Sequence, residues 1–100
     1  MTARPYQVFL LPEAKRDLRK IWFDISVENV AAADLMIDKF DHRFASLVEF
    51  PERGSPRNEL IKGLRVLIEG KYLVFYRVEA IKVEILRVVH GSRDLTALFK

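Results

Sequence analysis

The sequence predicts an α+β domain in which a helical hairpin packs on a small antiparallel sheet, with elements in the order β-α-α-β-β-β. Two observations predict it. Two stretches with apolar residues at helical spacing follow one another early in the chain, and three runs rich in β-branched and aromatic residues, joined by short turn-forming connections, follow one another later. Strands and helices that segregate in this way do not build a doubly wound parallel fold, where they alternate. One hundred residues, half of them hydrophobic, suffice for one core and not for two, so a single domain over residues 1–100 is expected.

Tyr6 to Leu11 has the aromatic and β-branched content of a first strand. Pro12 ends it and suits the first turn of a helix. Leu18, Ile21, Trp22 and Ile25 then recur at helical spacing while Lys15, Arg16, Arg19, Lys20 and Asp24 occupy much of the opposite face, which predicts a helix from Pro12 to Val27. Asn29 is placed to cap a second helix, whose apolar stripe is Ala33, Ile37, Phe40, Phe44 and Leu47. Pro51, Gly54, Pro56 and Asn58 break the periodicity, so Pro51 to Lys62 reads as a surface loop. Strands are predicted over Leu64 to Ile68, Tyr72 to Val78 and Val83 to Val89, forming a meander. The middle run is apolar on both faces, as a central strand buried on two sides requires.

Composition removes several classes of function. Seventeen Lys and Arg against fourteen Asp and Glu give a net charge of +3, which permits an acidic partner and is far from the charge of a chain that coats nucleic acid. The chain has no Cys, so thiol catalysis, a disulfide scaffold and a Cys-ligated zinc site are all absent. With only His42 and His90, neither a metal site nor a cofactor is expected. Tyr6 to Leu11 is too short to span a bilayer and no signal-peptide pattern precedes it, so a cytoplasmic protein with no membrane contact is expected.

Charged side chains in apolar strands need a reason, and the meander carries Arg65, Arg77 and Arg87. A four-residue turn over Glu79 to Lys82 would set Val78 against Val83, Arg77 against Glu84, and Val74 against Arg87. A two-residue turn at Glu69-Gly70 would bring Arg65 beside the same Val74, so that Arg65 and Arg87 form a basic platform on one face. The competing account is two solvated arginines lying over apolar strands. The most site-like stretch is His90-Gly-Ser-Arg-Asp94, where a glycine turn follows the last strand. His90 is suited to proton transfer near neutral pH, although a lone His at a strand end is more often a hydrogen-bonding residue. Arg93 and Asp94 either serve a partner or pin the tail, and Leu95, Leu98 and Phe99 cover the core edge or dock on another chain. His42 belongs to a solvated helical face, and Trp22 to the core.

Gly63-Leu-Arg65, Tyr72-Leu-Val-Phe-Tyr-Arg-Val78 and Val83-Glu-Ile-Leu-Arg-Val-Val-His-Gly-Ser-Arg-Asp94 resemble the C-terminal half of ParE-type toxins of the ParE/RelE superfamily. Leu11-Pro-Glu-Ala-Lys-Arg-Asp-Leu18 with Ile21-Trp22 resembles their first helix, and Phe50-Pro51-x-x-Gly54 their helix-to-sheet loop. The resemblance covers nearly the whole chain. It implies the toxin of a type II toxin-antitoxin system, held in a hetero-oligomer by a ParD-like antitoxin. It further implies a non-enzymatic inhibitor of DNA gyrase that traps the cleaved-DNA complex and meets DNA only through gyrase, with Arg65, Arg87, His90 and Arg93 as target-binding residues. RelE-type relatives share the fold but cut messenger RNA on the ribosome, using basic residues and often a C-terminal Tyr or His. Here Glu69 stands near where those enzymes place a basic residue, and the tail has no Tyr. In that alternative His90 and Arg93 would be the catalytic residues.

Overall fold

The computed structural model describes residues 6–99. Strand β1 (Gln7–Leu10) leads through Pro12, the first residue of α1 (Pro12–Ser26), into a hairpin with α2 (Val30–Glu49). Asn29 caps α2 as expected, its side-chain oxygen accepting from the Ala32 N–H at 3.0 Å. Trp22 departs from its expected place in the core. It lies half-buried across the hairpin, and its Nε1–H donates to Asp34 at 2.8 Å. The indole carries a polar group that a wholly apolar site would leave unpaired.

The meander appears as β3 (Leu64–Glu69), β4 (Tyr72–Glu79) and β5 (Lys82–His90). Two further elements were not predicted. Ser55–Pro56 forms a two-residue strand, β2, against β3, and Leu95–Leu98 forms a single-turn helix, α3. The sheet order is β1-β5-β4-β3-β2. It is mixed rather than wholly antiparallel, because β1 lies parallel to β5, with the helical hairpin carrying the chain from β1 to β2 at the opposite edge and the meander returning it to β5.

Two apolar clusters sandwich the sheet. On the helical face Ala14, Ile21, Phe40, Phe44 and Leu47 pack on Leu67, Val74, Tyr76, Val83, Ile85 and Val88. On the other face Leu64, Val66, Phe75 and Val89 are covered by Leu60, Ile61, Leu95, Leu98 and Phe99, and Phe99 meets Phe75 edge to face at 4.9 Å. The tail therefore closes the second face. Val74, Phe75 and Tyr76 are each wholly buried, as two-sided coverage of β4 demands.

The register differs from expectation in two places. Glu69 pairs with Tyr72, so the β3–β4 turn is Gly70-Lys71, with Gly70 at φ 59°, and Arg65 faces Tyr76 instead of Val74. Val78 does face Val83 and Arg77 faces Glu84, but a β-bulge then lets Phe75 pair with Arg87 and Val74 with Val88, leaving Leu86 without a partner. Arg65 and Arg87 consequently do not flank one residue.

Candidate functional site

The bulge sets up the site. By strict alternation from Val83 and Ile85, residues 87 and 89 would point at the helices. The extra residue shifts that order, so Val88 joins the helical-face core and His90 follows it onto the same side, opposite Tyr72. There α1 crosses the end of β5, and a cleft of about 200 Å³ opens among Asp17, Lys20, Asp24, Tyr72, His90 and Arg93.

Asp17 holds the floor of this cleft. Its carboxylate accepts from Arg87 Nε at 2.7 Å, from Arg87 Nη2 at 2.9 Å and from the Val88 N–H at 2.9 Å. Both side chains are largely enclosed, with 14% exposure at Asp17 and 22% at Arg87. The hydrogen bonds to Asp17 raise Arg87 above its ordinary value, more than burial lowers it. This is a bidentate clamp between α1 and β5. Nothing in the linear sequence paired these residues, which stand far apart in the chain.

His90 is exposed, and its ring meets the Tyr72 ring edge to face at 5.8 Å. Tyr72 in turn meets Phe40 at 5.6 Å, so the imidazole rests on a stack anchored in the core. The Ser92 N–H donates to His90 Nδ1 at 3.1 Å, and Ser92 Oγ lies 2.8 Å from the same nitrogen. Because an amide N–H only donates, Nδ1 is the acceptor and the neutral ring carries its proton on Nε2. Arg93 is exposed, and among the described residues its side chain makes neither a hydrogen bond nor an ion pair. The tail is thus not pinned by an Arg93–Asp94 bridge. Asp94 instead caps α3, accepting from the Thr96 N–H at 3.1 Å and hydroxyl at 2.8 Å, and the Thr96 hydroxyl holds its carboxyl below the usual value.

The four residues expected to share one surface therefore divide. His90 and Arg93 line the cleft together, and Arg87 lies behind it in the clamp. Arg65 belongs elsewhere. Its Nη1 donates to the carbonyls of Glu52 at 2.9 Å and Gly54 at 2.6 Å, bracing the loop after α2. The Tyr76 hydroxyl completes this brace, donating to Pro51 O at 2.7 Å and accepting from the Gly54 N–H at 2.8 Å. Glu69 does not face the cleft either, for it pairs with Arg43 of α2 at 2.8 Å.

The comparisons agree with this architecture. The family described as ParE toxin of type II toxin-antitoxin system, parDE, matches residues 8–95. Toxin ParE3 of Caulobacter vibrioides is 32% identical over 82 residues, spanning 81% of this chain and 82% of that protein. A chromosomal ParDE system from P. aeruginosa matches the fold with a TM-score of 0.75 at 20% identity, over 88% of this chain and 98% of that one. The RelBE2 toxin-antitoxin complex of Mycobacterium tuberculosis matches with a TM-score of 0.64 at 30% identity, over 92% and 98%. Among the described residues no helix is long and apolar enough to cross a membrane.

Proposed function

We propose, given that this chain belongs to the ParE toxins of type II toxin-antitoxin systems, that it arrests growth by binding DNA gyrase in the cytoplasm and trapping the cleaved-DNA complex, and that a ParD-like antitoxin neutralises it in a hetero-oligomer. In this reading the chain is not an enzyme. The observation that carries it is that an exposed Arg93, whose side chain has no partner among the described residues, lines one cleft with His90, whose Nδ1 accepts from the Ser92 N–H. Such a pair offers a guanidinium fork and one Nε2–H donor to an acidic protein surface, which is what a contact residue needs. His90 and Arg93 are the proposed target contacts. Arg87 positions them through Asp17 and Val88, and Arg65 supports binding only by holding its loop.

A second reading has one observation in its favour, since His90 and Arg93 share a cleft and the ribosome-dependent endoribonuclease reading would use the same two residues on a leaving oxygen and a phosphate. Brief induction of the chain distinguishes the two. Gyrase poisoning produces linearised plasmid and a DNA-damage response before protein synthesis falls, whereas messenger cleavage stops translation first and leaves DNA intact. Intact plasmid with early translational arrest overturns the proposal.

A further inference from the structure

Two strands across the sheet from His90, where Glu69 pairs with Tyr72 and Tyr72 with His90, Lys39, His42, Arg43 and Ser46 recur at helical spacing along one edge of α2. They border a cleft of about 380 Å³ whose remaining walls are Arg53, from the loop after α2, and Glu69, at the end of β3. We infer that this cleft is a binding site for a phosphate-class anion, held by Lys39, Arg43 and Arg53, with His42 at its rim.

Charge accounting supports an anion. Glu69 is the one carboxylate lining the cleft and is matched by Arg43 Nε at 2.8 Å. Among the described residues the side chains of Lys39 and Arg53 make no hydrogen bond or ion pair, so two positive charges line the cleft without a carboxylate partner in it. The Nη groups of Arg43 add donors that Glu69 does not use. Asp38 and Asp41 line the adjoining surface beyond His42 and not the cleft itself. His42 Nδ1–H donates to the Asp38 carbonyl at 2.9 Å, so Nε2 of the neutral ring is an acceptor and the donors of the cleft are those of Lys39, Arg43 and Arg53.

The cleft is also preorganised. Arg53 stands in a loop whose carbonyls at Pro51, Glu52 and Gly54, and whose amide at Gly54, are all bonded to Tyr76 or Arg65. Its own N–H donates to Phe50 O at 3.2 Å. A loop held this firmly keeps the Arg53 backbone across from α2 and leaves only its side chain to be ordered on binding. Donors then approach from two elements, α2 and the loop, an arrangement that suits a tetrahedral dianion better than a planar carboxylate. A DNA backbone phosphate and a free phosphate compound share this chemistry. The inference stands independently of gyrase as the target.

The test titrates the full chain with inorganic pyrophosphate and, separately, with a short DNA duplex at low salt, following backbone amide shifts by NMR. Shifts centred on residues 39–46 and 53 are expected, with affinity on the order of 10⁻⁴ M for the duplex. The double variant Lys39→Ala/Arg53→Ala weakens binding by at least about tenfold and lowers the slope of log affinity against log salt by about two for the duplex. Lys15→Ala/Arg19→Ala, an equal charge loss on the exposed face of α1, leaves binding unchanged. Response to either probe with these variant effects supports the site, pyrophosphate alone indicating a free phosphate compound and the duplex a backbone phosphate. Absence of binding to both probes overturns it, and so does an equal loss in the two double variants, which would mean that net charge alone attracts the anion.

Discussion

The Asp17–Arg87 clamp gives the sharpest test of how the His90 cleft is held. Asp17→Ala removes two charge-assisted hydrogen bonds from Arg87 and the acceptor of the Val88 N–H, on a residue only 1% exposed. An enclosed N–H left without a partner costs about 1–3 kcal/mol. An unpaired guanidinium adds less than the 3–5 kcal/mol of a fully buried pair, because Arg87 keeps some water, and about 1–2 kcal/mol is a fair share. The expected loss is about 3 kcal/mol, which lowers Tm by about 12–24 °C for a domain of this size. Arg87→Ala spares the Val88 bond and is expected to cost about 2 kcal/mol, and the double variant less than the sum by on the order of 1 kcal/mol. Thermal and urea unfolding of the four proteins measures this cycle. Additive effects, or single losses within about 0.5 kcal/mol, would show that the pair is solvated and does not hold the cleft. Arg87→Ala that keeps its Tm but loses toxicity would restore Arg87 as a direct target contact.

Three other outcomes are expected. Arg93→Ala relieves growth arrest while leaving Tm and antitoxin binding within error, and His90→Ala changes toxicity only a few fold; a His90→Ala variant that folds but loses toxicity about 100-fold or more, along with messenger cleavage, favours the nuclease reading. Gly54→Ala lowers stability by about 2–4 kcal/mol in chemical denaturation, since its Cβ would lie 2.7 Å from Tyr76 Cε1 and Oη and 2.9 Å from the Val66 carbonyl, with the ring held at both ends of its hydroxyl; a neutral effect refutes that packing. Burial holds the Tyr76 phenol above its ordinary value against the opposing Gly54 N–H, so its contribution is intact below the unfolded value and is lost as pH rises toward the folded one. Above about pH 10 the wild type therefore loses more Tm than Tyr76→Phe does, and parallel curves would count against the burial.

Periodicity made both helices, the Asn29 cap and all three strands of the meander legible, because each is a local pattern with a local cause. The placement of β1 was not legible, since pairing Gln7 with Lys82 is decided by the crossover and leaves no mark on either strand. At the site, His90 and Arg93 were visible as polar residues beyond a strand end. Grouping Arg65 with Arg87 failed on the turn at Gly70-Lys71 and on the bulge at Leu86, which the run Ile85-Leu86-Arg87-Val88 conceals because apolar residues flank the arginine on both sides. Nothing in the sequence separates Asp17 from the other charged residues of its helix. Its importance comes from a partner that only the fold brings near.

The parallel pairing of β1 with β5 also bears on the order of assembly. Closing a loop of roughly 75 residues costs on the order of 4 kcal/mol in chain entropy, and that cost precedes any reward from the strand pair it creates. During synthesis, at about 5–20 residues per second, the helical hairpin is available for several seconds before β5 emerges. Until then α1 has no Arg87 to hold and β1 has no neighbour, so the part of the hairpin's apolar face that packs on Val83, Ile85 and Val88 stands uncovered. The His90 cleft, built from α1 and the far end of β5, is thus among the last features the growing chain completes. A nascent chain of this protein carries its hydrophobic surface before it carries its site.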